Sequence, residues 1–309
     1  MEKTVKGKII KGVGGLYTVK VIDASHELCG TSLSCRAKGA FRHSGITPLA
    51  GDNVTLLFED ESSVVISEID ERKSSLIRPP LANLDYIFVT MAAAHPVPIL
   101  TTVDKLTAIA EHNNIEPVIV ITKADLAPDE AEKYAEIYRK AGFLVFVVSS
   151  VSGMCVDVLK EFVGTALVSK TAAFAGASGI GKSTLMNALF PHLSLVTSEI
   201  SRKIERGRHT TREVELFPLS DSLDCGYLAD TPGFSMLDFE RFDFFSLEDL
   251  PLAFREFGER IGQCRYTKCT HTKEEGCAIV DAVKSGEIPK SRHESFLELY
   301  ATLKAKKKW

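Results

Sequence analysis

The sequence predicts a multidomain protein with a small N-terminal β-barrel, a central α/β domain and a C-terminal domain rich in helix. Three observations predict this division. Short strands separated by glycine turns extend to about residue 70, strands then alternate with helices, and cysteine and histidine cluster near the C-terminus. The 309 residues exceed the roughly 100 to 200 residues of one typical domain. We therefore expect domains at 1–72, 73–237 and 238–309.

The N-terminal domain is expected to be a barrel because its apolar runs are short and regularly spaced. Turn signals separate them, among them Gly14-Gly15, Cys29-Gly30 and Gly51-Asp52-Asn53. This pattern is typical of small barrels. OB-like and SH3-like barrels share it, so periodicity leaves both open. The expected strands are Lys8–Ile10, Leu16–Ile22, Leu33–Ala37, Val54–Phe58 and Val64–Ile69.

The central domain alternates strand and helix, which predicts a parallel sheet covered by helices on both faces. Ligands of such sheets bind beyond the carboxyl ends of the strands. The expected strands are Asp85–Thr90, Pro117–Ile121, Leu144–Val148 and Thr171–Phe174, and the expected helices are Val103–His112, Asp129–Ala141 and Val156–Val168.

A phosphate-binding loop is predicted at residues 176–183, GASGIGKS, between an apolar strand and helical sequence. Its glycines let backbone N–H groups face phosphate oxygens, while Lys182 reaches the β and γ phosphates and Ser183 coordinates Mg²⁺. The predicted binding residues are Gly176, Ala177, Ser178, Gly179, Ile180, Gly181, Lys182, Ser183 and Thr184.

Guanine is the predicted base because the motif TKAD, Thr122 to Asp125, follows a strand. The Asp125 carboxylate can accept hydrogen bonds from N1–H and the amino group of guanine, which adenine does not offer in that pattern. Lys123 would lay its stem along the base. Ser149 and Ser150 end the next strand, where a backbone N–H can meet the guanine carbonyl.

Two further segments are predicted to sense the γ-phosphate. In DTPG, Asp230 can hold Mg²⁺ and the Gly233 amide can meet the phosphate. The segment GRHTTR, residues 207–212, lies where a threonine ligand for Mg²⁺ is expected, and either Thr210 or Thr211 can supply it. Because the base motif precedes the phosphate loop, the order of motifs is circularly permuted relative to ordinary GTPases.

A closed zinc site is predicted from Cys264, Cys269, His271 and Cys277. Three thiolates and one imidazole within a short segment are the ligand set of structural zinc. All four positions are filled by the protein, so no open position remains for a catalytic water. We expect one structural zinc per chain.

The protein is expected to be cytoplasmic, because its N-terminus lacks the apolar segment of a secretory signal and no apolar run could span a membrane. The net charge of −4 argues against a general nucleic-acid binder. Basic residues nevertheless cluster at Lys3–Lys11, Arg202–Arg212 and Lys304–Lys308, which favours a polyanionic partner.

Together these motifs resemble the circularly permuted, small-ribosomal-subunit-dependent GTPase A family (RsgA, also called YjeQ or YloQ). The resemblance extends over nearly the whole chain and includes RKSSLIRPPLANLD at residues 72–85. It implies an OB-fold at the N-terminus, GTP and GDP as ligands, and subunit-stimulated GTPase activity in late maturation of the small ribosomal subunit, with its rRNA as partner. We expect a monomer without membrane contact.

Two residues depart from ordinary GTPases. Thr122 replaces the usual asparagine, which removes an amide that would bridge base and phosphate loop. Phe234 stands where many GTPases place a glutamine that orients water, and the resemblance implies His209 as its substitute. The expected catalytic residues are therefore His209, Lys182, Thr210 and Thr211. Two other readings remain open: a GTP-regulated RNA-binding module with negligible turnover, and a zinc-delivering GTPase.

Overall fold

A computed structural model describes residues 4–39, 41, 45–59, 63–77, 79–191, 214–220, 222, 224–230 and 246–306. The strands are β1 (Thr4–Val13), β2 (Leu16–Val21), β3 (Ser32–Ala37), β4 (Asn53–Phe58), β5 (Val64–Ile69), β6 (Ser75–Leu76), β7 (Leu81–Ala82), β8 (Tyr86–Ala92), β9 (Glu116–Thr122), β10 (Leu144–Val147), β11 (Thr171–Ala175), β12 (Glu215–Pro218) and β13 (Tyr227–Asp230). The helices are α1 (Leu100–His112), α2 (Pro128–Lys140), α3 (Val156–Ala166), α4 (Lys182–Leu189), α5 (Ala278–Lys284) and α6 (Lys290–Lys306).

The chain forms two compact units, each made of three stretches of sequence. One unit contains Met1–Tyr86, Val163–Phe174 and Glu199–Phe234. The other contains Ile87–Phe162, Ala175–Ser198 and Ser235–Trp309. The base motif, the phosphate loop and the cysteine cluster all belong to the second unit.

The first unit begins with the predicted barrel. Strand β1 pairs with β2 and β4, β2 with β3, β3 in parallel with β5, and β5 with β4. This closed five-stranded arrangement confirms the OB-like fold. Alternating apolar residues from the strands fill its interior, namely Val5, Ile9, Val19, Val21, Cys35, Val54, Leu56 and Ile66.

The rest of the first unit contains a strand that the sequence did not predict. Strand β13 runs parallel to β11, as expected, but β12 is antiparallel to both β13 and β1. The expectation of a purely parallel sheet is therefore wrong at this edge. Strand β12 is four residues long, too short to show a period of its own, so its conformation depends on its partners.

The second unit has the predicted parallel arrangement. The strand order is β10, β9, β8, and β9 and β10 are parallel with Val118 opposite Leu144. Helix α2 begins with a proline, followed by Asp129 and Glu130, and ends with Arg139 and Lys140. This charge distribution complements the helix dipole.

The C-terminal segment of the second unit is helical and is joined to α1 by buried charges. The Arg292 side chain is fully buried, and its Nη1 lies 2.7 Å from Asp104 Oδ1 in α1. Its Nε lies 2.6 Å from Glu256 Oε1. Tyr138 donates a hydrogen bond of 2.9 Å to the same Asp104 oxygen. Burial raises the pKa of Asp104, and the Arg292 charge opposes that shift. No helix among the described residues is long and apolar enough to cross a membrane.

Replacing Arg292 with methionine should lower the free energy of unfolding by roughly 3 to 5 kcal/mol, because two buried carboxylates lose their partner. The matched control is Lys290→Met on the same helix, which removes an exposed pair with Glu294 and should cost less than about 1 kcal/mol. Urea denaturation of the nucleotide-free protein measures both. Equal stability of the two variants would contradict this role of Arg292.

Candidate nucleotide-binding site and metal centre

The loop between β11 and α4 has the backbone geometry of a phosphate cradle. Gly176, Gly179 and Gly181 have φ values of 145°, 78° and 96°, a region that favours glycine. A Cβ on Gly176 would lie 2.2 Å from the Thr90 carbonyl oxygen. Gly181 is the N-cap of α4, so the loop leads directly into the positive end of a helix.

Lys182 folds back over this loop. Its Nζ donates hydrogen bonds of 2.6 Å to the carbonyl oxygens of Gly176 and Ala177. Burial lowers the pKa of Lys182 to about 8. A desolvated ammonium group at the N-terminus of a helix favours an anionic ligand such as phosphate.

The base motif is bonded directly to the phosphate loop. The Thr122 hydroxyl lies 2.5 Å from the Ile180 carbonyl oxygen and 3.1 Å from that of Met91. Lys123 Nζ donates to the Gly179 carbonyl at 2.7 Å. Position 122 lacks the amide of an asparagine, but its hydroxyl itself reaches the phosphate loop.

Asp125 and the residues after β10 leave polar groups free at the same end of the sheet. Within the described part of the chain, the partly exposed Asp125 carboxylate has no side-chain partner. The Ser149 N–H donates to the Met154 carbonyl at 3.1 Å. Ser150 N–H has no protein acceptor among the described residues. Of the two serines, only Ser150 therefore keeps an N–H for a base.

The sequence did not predict the part played by the segment that comes after β8. The carbonyl oxygens of Thr90 and Met91 lie against the phosphate loop and the Thr122 hydroxyl. The His95 carbonyl accepts a hydrogen bond of 2.5 Å from Lys123 Nζ. The only available signal was the position of HPVP, residues 95–98, just beyond a buried strand. Contacts made by backbone oxygens do not depend on residue type, so the sequence does not reveal them.

Several predicted residues lie outside the described part of the chain, namely His209, Thr210, Thr211 and Gly233. Asp230 is the last residue of β13, where its backbone is opposite Glu215.

The four predicted metal ligands do converge. Cys264 Sγ lies 3.8 Å from Cys277 Sγ and 3.5 Å from His271 Nδ1. Cys277 Sγ lies 3.6 Å from the same nitrogen. With Cys269, all four ligand atoms are within 4.8 Å of one another. The cluster can hold a metal ion.

The acid–base properties of the cluster also favour a cation. Burial raises the pKa of the Cys269 thiol to about 12 and also raises that of Cys277. Burial lowers the pKa of the His271 imidazole. Without a metal these thiols are therefore protonated and the imidazole is neutral, and a bound cation would displace the thiol protons.

Two residues outside the ligand set form hydrogen bonds to the backbone of the metal loop, residues 264–277. Glu274 accepts hydrogen bonds from the backbone N–H groups of Thr270, Thr272 and Lys273. Burial would raise the pKa of Glu274, but hydrogen bonds, chiefly those from Thr270, lower it to about 2. His293 in α6 donates from Nε2 to the His271 carbonyl at 2.8 Å. Such outer contacts fix the orientation of metal ligands.

Comparison with known protein families identifies the family of this chain. Residues 6–66 match the RsgA N-terminal domain, and residues 69–240, more than half of the chain, match the RsgA GTPase domain. The chain belongs to the RsgA GTPase family. As a member of the RsgA family, it is a GTP-hydrolysing enzyme.

Curated RsgA relatives match the chain from end to end. The small ribosomal subunit biogenesis GTPase RsgA of Bacillus pumilus is 39% identical over 307 residues, covering 98% of both chains. The protein of the same name from Bacillus subtilis is 38% identical over 308 residues, again covering 98% of both.

Solved structures of RsgA relatives have the same fold. YjeQ from Thermotoga maritima superposes with a TM-score of 0.79 at 30% identity, covering 97% of this chain and 98% of that one. YloQ, described as a circularly permuted GTPase, superposes with a TM-score of 0.77 at 34% identity, covering 98% and 96%. The permuted order predicted from the sequence is confirmed.

Adding one methyl group at Gly176 should weaken nucleotide binding by roughly tenfold or more, because the loop must move away from Thr90 and adopt a strained φ. The control is Gly164→Ala, since a Cβ at Gly164 in α3 meets nothing within 4 Å. Titration with a fluorescent GDP analogue measures both, and a melting curve checks the fold. Equal affinities in Gly176→Ala and Gly164→Ala would contradict the proposed cradle.

Proposed function

We propose that this chain binds GTP and hydrolyses it to GDP and phosphate as a step in biogenesis of the small ribosomal subunit. The observation that carries the proposal is the direct bonding of the base motif to the phosphate loop through Thr122 and Lys123. Membership of the RsgA family, whose curated relatives are small ribosomal subunit biogenesis GTPases, supports the assignment of the process.

Guanine is proposed to bind at the end of β9 and β10. The Asp125 carboxylate would accept from the N1–H and the amino group of the base. The Ser150 N–H would donate to the guanine carbonyl, while the stem of Lys123 would cover the ring. An adenine in this site would leave these groups without partners, and unpaired buried polar groups are costly.

The triphosphate is proposed to lie along residues 176–184, where backbone N–H groups of the loop would face its oxygens. Lys182 would exchange its two carbonyl contacts for the β- and γ-phosphate oxygens. Ser183 is exposed at the start of α4, and its hydroxyl has no partner among the described residues. These contacts orient the phosphates and neutralise their charge, which is the main contribution of a protein to phosphoryl transfer.

Magnesium is proposed from the motifs, with Ser183, Asp230 and either Thr210 or Thr211 as the holding residues. Hydroxyl and carboxylate oxygens are the donors that this hard cation prefers. When bound, the ion would neutralise charge on the β- and γ-phosphates. The Gly233 amide is proposed to donate to the γ-phosphate, as the DTPG motif predicts.

Hydrolysis is proposed to be slow without a partner, because Phe234 cannot orient water. His209 would take that role when a polyanionic partner orders residues 207–212, where arginines can neutralise phosphates. We assign the small-subunit rRNA as that partner and the 1–72 barrel as a second contact. The rest of the chain is proposed to comprise a GTPase domain at 73–237 and a zinc domain at 238–309. The protein is proposed to be a cytoplasmic monomer.

Zinc is the metal proposed for the cysteine cluster. Bonds of about 2.3 Å to sulfur and 2.0 Å to nitrogen place tetrahedral ligand atoms about 3.5 to 3.8 Å apart. The distances of 3.5, 3.6 and 3.8 Å among Cys264, Cys277 and His271 fit this geometry. A closed set of four protein ligands supports a structural role rather than zinc delivery.

Replacing Asp125 with asparagine should exchange guanine for xanthine specificity. Xanthine carries a carbonyl where guanine carries its amino group, so an amide N–H can donate to it. GTP affinity should fall by roughly 30-fold or more, and XTP should become a better substrate than GTP in the presence of small subunits. The control Asp129→Asn alters an exposed carboxylate in α2. If Asp125→Asn keeps the wild-type preference for GTP, the base assignment is wrong.

Purified protein should contain one zinc ion per chain, and Cys269→Ser should lose it, because the small C-terminal domain draws folding energy from the metal. Hydrogen exchange in residues 260–285 should then accelerate, while GDP binding persists. Cys155→Ser, a change at an exposed cysteine outside the cluster, should alter neither. Elemental analysis and exchange mass spectrometry give the two readouts. Wild-type protein without zinc would contradict the assignment.

A further inference from the structure

Strand β1 changes partners along its length. Residues Thr4 to Lys8 pair with β4 and close the barrel. The register between β1 and β2 then shifts between Ile9 and Lys11. A register shift of this kind commonly accompanies a bend in a strand. Beyond the shift, Lys11 is opposite Thr18 of β2 on one side and Glu215 of β12 on the other, so this end of β1 stays in the barrel and also pairs with β12.

Glu215 stands in a row with residues of two other strands. It is opposite Lys11 of β1 on one side and opposite Asp230 of β13 on the other. Neighbouring strands lie about 4.8 Å apart, so the barrel strand is only about 10 Å from the backbone of Asp230. The row connects the barrel to the first residue of the DTPG motif.

The two strands β12 and β13 adjoin both segments that are expected to sense the γ-phosphate. Strand β12 starts at Glu215, just after the GRHTTR segment, which ends at Arg212. Strand β13 ends at Asp230, where DTPG begins. Four residue pairs join the two strands in register, from Glu215–Asp230 to Pro218–Tyr227. A shift of β12 relative to the barrel would therefore also displace β13 and the backbone of Asp230.

One ion pair aligns β12 with the barrel. Lys11 Nζ lies 2.8 Å from Glu215 Oε2, and the two side chains are 34% and 38% exposed. Within the described residues, Lys11–Glu215 is also the only pair in register between β1 and β12. A partly exposed ion pair adds little to global stability. This pair, however, lies at the one position where the backbones of β1 and β12 are paired among the described residues.

We propose that Lys11 and Glu215 are positioning residues for GTP hydrolysis, which hold β12 and β13, and with them Asp230, in register with the barrel. A polyanion bound to the barrel would thereby act on β12, β13 and Asp230, the first residue of DTPG. The inference rests on the proposed function through the role assigned to Asp230. Guanine and phosphate-loop binding should not depend on the pair, because their residues lie in the other unit.

The test uses full-length protein with Glu215→Gln, which removes the charge and keeps the size. Its matched control is Asp70→Asn, which removes the Lys6–Asp70 ion pair of the same barrel, also 2.8 Å long and partly exposed. Amide hydrogen exchange in residues 215–217 and 227–230 should be roughly threefold to fivefold faster in Glu215→Gln and unchanged in Asp70→Asn. The charge swap of Lys11→Glu with Glu215→Lys should restore wild-type exchange.

Hydrolysis on purified small subunits gives the second readout. Glu215→Gln should lower kcat by roughly tenfold or more, since small displacements of an aligned group are costly, while KM for GTP stays within about twofold. Wild-type exchange or wild-type kcat in Glu215→Gln, or failure of the charge swap to restore exchange, would overturn the inference alone. A wild-type protein that small subunits do not stimulate would overturn the proposed function as well.

Discussion

Gly176 lies against the carbonyl of Thr90 where no side chain would fit, and the rest of the nucleotide site depends on that close approach. It brings the phosphate loop to the end of β8, within reach of the Thr122 hydroxyl and of Lys123. Thr122 and Ile180 are 58 residues apart in sequence. Their contact is made through space, so the site is indifferent to which motif comes first along the chain, and a permuted order preserves it.

The permutation does change which segments follow the γ-phosphate motifs along the chain. The segments expected to sense the γ-phosphate are followed by the C-terminal helical region rather than by the base motif. Arg292 anchors that region to α1 through buried carboxylates, and the adjacent His293 contacts the metal loop. Helix α6 therefore connects the metal centre to α1 within the unit that also holds the phosphate loop. Within the first unit, Glu215 joins the barrel strand to the end of β13.

The sequence was sufficient wherever chemistry requires particular residue types at fixed spacing. The phosphate loop and the four metal ligands are of this kind, and regular turns revealed the barrel. It was insufficient where partners distant in sequence determine the structure. Strand β12 is defined by β1 and β13, and Arg292 meets Asp104 across 188 residues. The contact of the Thr122 hydroxyl with the Ile180 carbonyl was not predicted either, because the fold alone brings these two residues together.

The central claim is that this site turns over GTP under the control of the small ribosomal subunit, and phosphate release with and without purified subunits tests it most directly. Wild-type protein should hydrolyse GTP slowly alone and at least about tenfold faster with subunits, and salt should reduce the stimulation because it depends on phosphate contacts. His209→Ala should bind subunits and GTP but lose the stimulated rate. Equal rates with and without subunits would contradict the account.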